Sequence, residues 1–298
     1  MAEDIKYATT PAGNIAYVER GTGPAALFVH GVFLNHHFWR HVIDRVSDMR
    51  RCIAIDLLAH GATRAAADQD LSFEAQAEML EGVCNALGLD SVDVVANDSG
   101  GGIAQIFAAR HPERIRSLVL TNCDVHDNWP PPAFQRAVAA AKAGVFGPIG
   151  QRMLADLTVA RSTFAVSYER PDLVSAETFQ TYLAPIFSTA GATRNLERFI
   201  ASMDCRQTTA IQPLLRRLEA PTLIVWATDD IFFPVSWAYW LRDTIPGARR
   251  VIELDGARLF FPEERPDALA SPLREFWRTN DAHASVSTAA LGQPHGAA

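Results

Sequence analysis

The chain alternates between short runs of apolar residues and longer segments in which apolar residues recur every three or four positions. The short runs predict buried strands, and the longer period predicts helices that pack one face on them. In the first 123 residues the predicted strands are IAYVERG, AALFVHG, CIAIDLL, VDVVAN and IRSLVLTNC. Strands that alternate with helices indicate an α/β fold with a mostly parallel sheet flanked by helices.

One of these helices is defined at both ends. It runs from Ser72, a favourable N-cap residue, to Leu87. Its predicted apolar face consists of Phe73, Ala77, Leu80, Cys84 and Leu87.

The alternation stops after residue 123 and resumes near residue 219. Residues 124–218 contain a proline cluster, NWPPP, and helical patterns without a convincing strand. Two further strand runs follow, APTLIVWATDD and ARRVIELDG, and then a helix from about Pro266 to Arg278. We therefore expect one α/β core, residues 1–123 and 219–279, that is interrupted by a helical cap, residues 124–218. Residues 280–298 are small, polar and unpatterned, and they are predicted to be a disordered tail.

Composition narrows the range of partners. The 298 residues carry a net charge of −7, which argues against nucleic acid and anionic membranes. No apolar run approaches the roughly 18 residues of a membrane span, and no signal peptide is evident, so a cytoplasmic location is expected. The four cysteines are scattered and are expected to be free thiols. Whether the chain forms a homodimer is left open.

A glycine-rich turn, ANDSGGG, follows the strand VDVVAN and offers two neighbouring nucleophiles, Asp98 and Ser99. With its flanking strands and helices, this turn resembles the nucleophile elbow of the α/β-hydrolase superfamily, and the resemblance spans residues 10–279. The resemblance implies an eight-stranded, mostly parallel sheet. It also implies a His-Pro-Glu-Arg turn thirteen residues past the nucleophile. His111 lies thirteen residues past Asp98 and twelve past Ser99, which favours Asp98 at the tip.

An aspartate at the tip implies attack on sp³ carbon, because its carboxylate attacks esters and amides poorly. The product is an alkyl ester that water must cleave. The resemblance therefore narrows to epoxide hydrolases and haloalkane dehalogenases. The backbone amides of Val32 and Ser99 match the family's oxyanion hole. Val32 and Ser99 also replace the asparagine and tryptophan that hold the halide in dehalogenases, and Phe33 replaces the proline of epoxide hydrolases.

The resemblance places the catalytic acid at Asp230, in WATDDIFFP, but the expected catalytic histidine is replaced by Leu259 in DGARLFFPEERP. A histidine base contributes roughly 10²–10⁴ in rate, so its loss is a large change. Three hypotheses remain. Another histidine takes over, with His126 as the best candidate and His36 and His37 as further ones. Alternatively, Asp98 acts as a general base whose pKa is raised by burial, or the protein only binds.

The pocket is expected between the sheet and the cap, and its apolar walls suit a small to medium apolar organic substrate. Tyr168 and Tyr182 are candidate acids for the leaving oxygen of an epoxide. The expected wall residues are Phe33, Trp39, Trp129, Phe232, Leu259 and Phe260.

Neither an organic cofactor nor a metal is expected, because the group Asp124, His126 and Asp127 lacks a distant further ligand. An epoxide-hydrolase-like enzyme is the leading hypothesis. The alternatives are a dehalogenase-like hydrolase with an altered halide site, a catalytically silent binding protein, and a serine esterase that uses Ser99.

Overall fold

Eight strands form the centre of the protein in the computed structural model, which describes residues 4–291, with side chains described as far as His283. In chain order they are β1 Lys6–Thr10, β2 Gly13–Arg20, β3 Ala25–Val29, β4 Arg51–Ile55, β5 Val92–Asp98, β6 Ile115–Cys123, β7 Thr222–Ala227 and β8 Ala248–Leu254. Their spatial order is β1-β2-β4-β3-β5-β6-β7-β8. Only the β1–β2 and β2–β4 pairs are antiparallel, so the predicted mostly parallel sheet is confirmed.

Helices cover the sheet and fill the segment between β6 and β7. They are α1 Arg40–Val46, α2 Phe73–Ala86, α3 Ser99–Arg110, α4 Gln135–Lys142, α5 Phe146–Ala155, α6 Leu157–Phe164, α7 Ala176–Phe187, α8 Ala190–Ala201, α9 Arg206–Thr209, α10 Gln212–Leu215, α11 Ser236–Thr244, α12 Phe261–Glu264 and α13 Pro266–Leu291. Short 3₁₀ turns lie at His36–Trp39, Pro112–Arg114, Pro132–Phe134 and Pro171–Leu173. The segment predicted as a cap, residues 124–218, contains helices and turns and no strand; we call it the helical insertion.

Helix α2 matches its prediction closely. The Ser72 side chain accepts a hydrogen bond from the amide of Ala75, and the helix ends at Ala86 with Leu87 as its C-cap. The predicted apolar residues Phe73, Ala77, Leu80 and Cys84 are buried, as a core-facing stripe requires.

The C-terminal segment differs from its prediction. Residues 280–291 continue helix α13 instead of forming a disordered tail, and residues 292–298 lie outside the described part of the chain. This segment is rich in Ala, Ser and Thr and has no apolar pattern that would predict a helix. These residues are nevertheless compatible with a helix when a tertiary contact stabilises it. Arg50 supplies that contact, since its Nη2 lies 2.8 Å from Oδ1 of Asp281. Within the described chain, no helix is long and apolar enough to cross a bilayer.

The order of the strands places the candidate catalytic residues at one edge of the sheet. Strands β3, β5, β6, β7 and β8 are neighbours and run parallel, so their carboxyl ends meet on the same side. The residues that directly follow these strands are therefore the ones that form a site.

Candidate active site

The turn after β5 has the geometry of an elbow with Asp98 at its tip. Asp98 has a backbone φ of 54° and ψ of −133°, and helix α3 begins at the next residue, Ser99. A Cβ atom on Gly100 would lie 2.4 Å from the carbonyl oxygen of His30, and one on Gly101 would lie 2.2 Å from the Cβ of Cys123. Glycine is therefore required where strand and helix approach each other.

The Asp98 carboxylate opens into an apolar cavity of about 220 Å³. That volume is below the roughly 300–1,000 Å³ of pockets for drug-sized ligands, so a small ligand fits best. Aromatic rings from the core and from the helical insertion form most of the wall, namely Phe33, Phe134, Phe146, Phe164, Phe232 and Phe260. Exposed Ile149 and Val166 also line the cavity and mark its mouth in the helical insertion.

Carboxylates and hydroxyls are the polar side chains of this cavity. Asp98, Ser99, Asp124, Thr163 and Ser167 line it. Among the cavity-lining residues of the described chain, none carries a side-chain nitrogen, so neither an imidazole nor an indole N–H faces the space. The cavity therefore offers no side-chain N–H donor for an anion.

Burial raises the pKa of Asp98 to about 7, and the nearby Asp230 carboxylate adds to the rise. The backbone amides of Val32 and Ser99 act in the opposite direction and lower the pKa. Both amides therefore face the Asp98 carboxylate, as the predicted oxyanion hole requires. The Oδ2 atom of Asp98 is buried against Gly31 and has no hydrogen-bond partner.

Asp230 follows β7 and is held in a network of donors. Its Oδ2 accepts from the Asn122 side chain at 2.8 Å, and its Oδ1 accepts from the backbone amide of Phe232 at 2.8 Å. Burial raises the pKa of Asp230 to about 6, and these hydrogen bonds limit the rise. The predicted acid is thus buried close enough to Asp98 to influence its protonation.

Leu259 lies where the sequence predicted the missing histidine. It lines the same cavity as Asp98, and its backbone carbonyl accepts a hydrogen bond from the Asn97 side chain at 3.1 Å. The wall at this point is therefore an aliphatic side chain that cannot exchange a proton.

Comparison with known proteins agrees with this geometry. The family model for the alpha/beta hydrolase fold matches residues 24–265. The chain belongs to the α/β-hydrolase family. This hydrolase is 30% identical to haloalkane dehalogenase 2 of Mycobacterium bovis over 284 residues, which cover 91% of this chain and 94% of that protein. The resemblance to the dehalogenase-like branch is confirmed.

Two further similarities are more limited. A 2-hydroxymuconate semialdehyde hydrolase of Pseudomonas is 36% identical over 108 residues, which cover 34% of this chain and 37% of that protein. The crystal structure of haloalkane dehalogenase DbeA from Bradyrhizobium elkani has a TM-score of 0.79 at 20% identity and covers 95% of this chain and 100% of that one. That structural similarity concerns the fold alone.

The histidines predicted to replace the missing base do not reach the cavity of the hydrolase. His126 has a backbone φ of 47°, and its ring lies 4.8 Å from that of Trp240 between ring centroids. His36 places Nδ1 2.7 Å from Oδ1 of Asp56, and the His37 ring lies 6.0 Å from the Tyr182 ring. None of these three histidines lines the cavity, so the structure does not bring a predicted replacement base to Asp98.

The two candidate tyrosine acids are also placed elsewhere. The Tyr168 hydroxyl donates to Oε2 of Glu263 at 2.5 Å, and the Tyr182 hydroxyl donates to Oε1 of the same carboxylate at 2.8 Å. Both tyrosines are buried and neither lines the cavity. The buried Glu263 carboxylate requires hydrogen-bond donors, and the two tyrosines supply them. These hydrogen bonds connect the helical insertion to helix α12.

Two of the predicted wall residues belong to the core. Trp39 is fully buried, with its ring centroid 4.9 Å from that of Phe38, and Trp129 packs 4.0 Å from Phe73 between ring centroids. Neither lines the cavity, so their placement in the wall is wrong. Phe33, Phe232, Leu259 and Phe260 do line it, as predicted.

Asp124 is the principal site residue that sequence reasoning missed. It directly follows β6 and lines the cavity. The sequence analysis named it only as a neighbour of His126 in a possible metal-binding group. Its position directly after β6, a strand that lies between β5 and β7, could have indicated that it is a site residue. Burial, and then the Asp98 charge, raise the pKa of Asp124 well above its usual range, while a hydrogen bond from the Ser99 side chain lowers it. Within the described residues, no group of His, Cys, Asp and Glu side chains has a metal-site arrangement.

Proposed function

We propose that this hydrolase opens epoxides of small apolar molecules, with the Asp98 carboxylate as the nucleophile. The observation that carries the proposal is the position of the Asp98 carboxylate. It lies at the tip of the elbow and lines an apolar cavity, and none of the described residues that line this cavity carries a side-chain nitrogen. A largely desolvated carboxylate is a competent nucleophile at sp³ carbon.

The reaction proceeds through an ester on Asp98. The carboxylate oxygen bonds to one epoxide carbon, the carbon–oxygen bond of the ring breaks, and the ring oxygen takes up a proton. Water then attacks the ester carbonyl, whose oxyanion receives hydrogen bonds from the amides of Val32 and Ser99. The products are a diol and the free carboxylate.

The charges of the site favour an epoxide over an alkyl halide. The Asp230 carboxylate raises the pKa of Asp98, and Asp98 and Asp230 both raise the pKa of Asp124, so the site is already rich in acidic groups. In either reaction the charge of Asp98 is lost as its ester forms. A departing halide is then a free anion beside the other carboxyl groups, whereas a ring oxygen that takes up a proton becomes a neutral hydroxyl. Because none of the described residues that line the cavity carries a side-chain nitrogen, these residues offer a halide no side-chain N–H donor.

Halide displacement is nevertheless the second candidate, since the hydrolase is 30% identical over 91% of its length to a haloalkane dehalogenase. A serine esterase is disfavoured, because the Ser99 hydroxyl donates to Asp124 and none of the described residues that line the cavity is a histidine. Use of Asp98 as a general base and ligand binding without chemistry are the remaining alternatives.

One experiment separates these functions. The protein is incubated with styrene oxide and, separately, with 1-bromohexane, and intact mass and product formation are recorded. We expect an adduct or diol with the epoxide that is lost in Asp98→Asn, an isosteric variant without a nucleophilic carboxylate. Faster reaction with the bromide would favour the dehalogenase, and epoxide isomerisation without an adduct would favour the general base. Activity that survives Asp98→Asn and disappears in Ser99→Ala would contradict the proposal.

A further inference from the structure

Asp124 is a buried carboxyl group that has no part in the attack of Asp98 on an epoxide. Its side chain lines the cavity, its residue is 2% exposed, and its Oδ1 atom has no hydrogen-bond partner. Its backbone is fixed against the elbow. The Asp124 amide donates to the carbonyl of Asp98 at 3.4 Å, and the side chain of Gln105 donates to the carbonyl of Asp124 at 2.8 Å. The two carboxyl groups are therefore held on adjacent strands above one cavity.

We propose that Asp124 is the proton donor and acceptor of this active site and performs the work of the missing histidine. The inference rests on the proposed epoxide opening by Asp98. It names the group that protonates the leaving oxygen and the group that then activates water. The other titratable candidates are occupied elsewhere, because Asp230 is bound by Asn122 and the amide of Phe232, and the hydroxyls of Tyr168 and Tyr182 donate to Glu263.

The state of the two carboxyl groups before reaction follows from their surroundings. Two adjacent buried carboxylates are not both ionised readily, so one proton remains with the pair. The pKa of Asp124 is raised well above its usual range, whereas that of Asp98 is raised to about 7. Above pH 7, Asp98 is therefore mainly the carboxylate, which the amides of Val32 and Ser99 stabilise, and the shared proton stays on Asp124, whose Oδ1 has no hydrogen-bond partner.

In the first step, Asp98 attacks the epoxide carbon and the ring oxygen takes the proton of Asp124. Asp98 becomes a neutral ester, and Asp124 becomes a carboxylate. The pair carries one negative charge before and after the step. The ionisation of Asp124 is then tolerated because the neighbouring charge, the second-largest cause of its raised pKa, has been removed.

In the second step, the Asp124 carboxylate takes a proton from water as that water attacks the ester carbonyl. The tetrahedral intermediate collapses, its carbon–oxygen bond to the product breaks, and the departing alkoxide recovers the proton from Asp124. This leaves Asp98 as an acid and Asp124 as a carboxylate, and one proton transfer between them restores the starting state. The balance is epoxide plus water giving diol.

Two probes separate the two roles of Asp124. An epoxide needs the proton in the first step, whereas the bromide of 1-bromohexane leaves without one. In Asp124→Asn, we expect epoxide opening to slow by roughly 10²–10⁴. The bromide should still alkylate Asp98, but the ester should persist, so that a mass increase of one hexyl group accumulates. The matched control is Asp127→Asn, which removes an exposed carboxylate three residues away.

The outcomes distinguish this inference from the proposed function. If both probes react and turn over in Asp124→Asn at the wild-type rates, while Asp98→Asn abolishes the chemistry, Asp124 is not the proton carrier and the proposed function stands. If no reaction depends on Asp98, both are wrong. Should Asp124→Asn fail to fold, Asp124→Ala carries the same expectation. The wild-type protein adds a check, since a solvent deuterium isotope effect should accompany epoxide opening but not alkylation by the bromide.

Discussion

The side-chain amide of Asn97 donates a hydrogen bond to the backbone carbonyl of Leu259 at 3.1 Å, between nitrogen and oxygen. This contact joins the residue before the elbow to the loop after β8. Residue 259 therefore has a backbone position that is fixed relative to Asp98, and its side chain enters the same cavity.

A histidine introduced at this position should act as a base. In Leu259→His combined with Asp124→Asn, in which the ester that 1-bromohexane forms on Asp98 persists, we expect this ester to be hydrolysed faster, by up to roughly 10²–10⁴. Asp230, which Asn122 and the amide of Phe232 hold in place near Asp98, is the acid that would orient the imidazole. The decay of the hexyl adduct, followed by intact mass, measures the effect. Leu259→Gln is the control for added polarity without a base, and equal acceleration by both variants would argue against imidazole catalysis.

Gly31 is required by its contact with Asp98. A Cβ atom on Gly31 would lie 2.1 Å from Oδ2 and 2.3 Å from the Cβ of Asp98, which is far inside van der Waals contact. In Gly31→Ala, we expect Asp98 to be displaced and its alkylation rate to fall by at least tenfold, because small misplacements of reacting atoms are costly. Gly191→Ala is the control, since a Cβ there meets no atom within 4 Å. An unchanged alkylation rate in Gly31→Ala would mean that the loop moves instead.

Alkylation of Asp98 should depend on pH with an apparent pKa near 7. Burial and the nearby Asp230 charge raise the pKa of Asp98 to about 7, and only the carboxylate is nucleophilic. The rate with 1-bromohexane should therefore rise about tenfold per pH unit below pH 7 and become constant above it. Stopped-time mass measurements between pH 5 and pH 9 follow this profile. A rate that is already constant at pH 5 would show an Asp98 with an ordinary pKa.

The positions of residues that follow a strand were predictable, because parallel neighbouring strands end at the same edge of the sheet. Asp98, Val32, Asp230 and Leu259 were located by the resemblance to α/β-hydrolase motifs, and each of them lies at or shortly after the end of a strand. The sheet itself was predictable from its buried runs, whereas β1 was missed because only Ala8 of its five residues is buried. An edge strand of this kind has no apolar pattern for sequence analysis to detect.

Residues of the helical insertion were much less predictable. Its aromatic side chains alternate between the cavity and the interior according to how the helices pack, and that packing has no signature in one sequence. Phe134, Phe146 and Phe164 line the cavity, whereas Tyr168 and Tyr182 bind Glu263. Asp124 was missed for a different reason, since its role depends on a carboxyl group 26 positions away in the chain.

The Tyr168 hydroxyl should contribute to stability and not to chemistry. It donates to Glu263, which is buried and also accepts from Tyr182. In Tyr168→Phe, the Oε2 atom of Glu263 loses this donor, and we expect a loss of about 1–3 kcal/mol in the free energy of unfolding. The rates of adduct formation with both probes should stay within twofold of the wild type. A selective loss of epoxide opening would restore Tyr168 as the acid.

Arg50 should be the main electrostatic anchor between the sheet and helix α13. It is buried, and its Nε lies 2.7 Å from Asp93, while its Nη2 lies 2.8 Å from Asp281. Asp93 is buried and also accepts from the Ser117 hydroxyl at 2.6 Å. We expect Asp93→Asn to lower the free energy of unfolding by about 3–5 kcal/mol, because it leaves a buried guanidinium without its buried partner.

Asp281→Asn provides the matched comparison. The Asp281 side chain is 44% exposed, so this substitution should cost about 1 kcal/mol or less. Urea denaturation of the two variants beside the wild type measures both values. The difference also tests the helix beyond residue 279, because Asp281 is the side chain that joins that part of α13 to the core through Arg50. If Asp281→Asn were as damaging as Asp93→Asn, the exposed carboxylate would dominate the anchor, and the burial argument would be wrong.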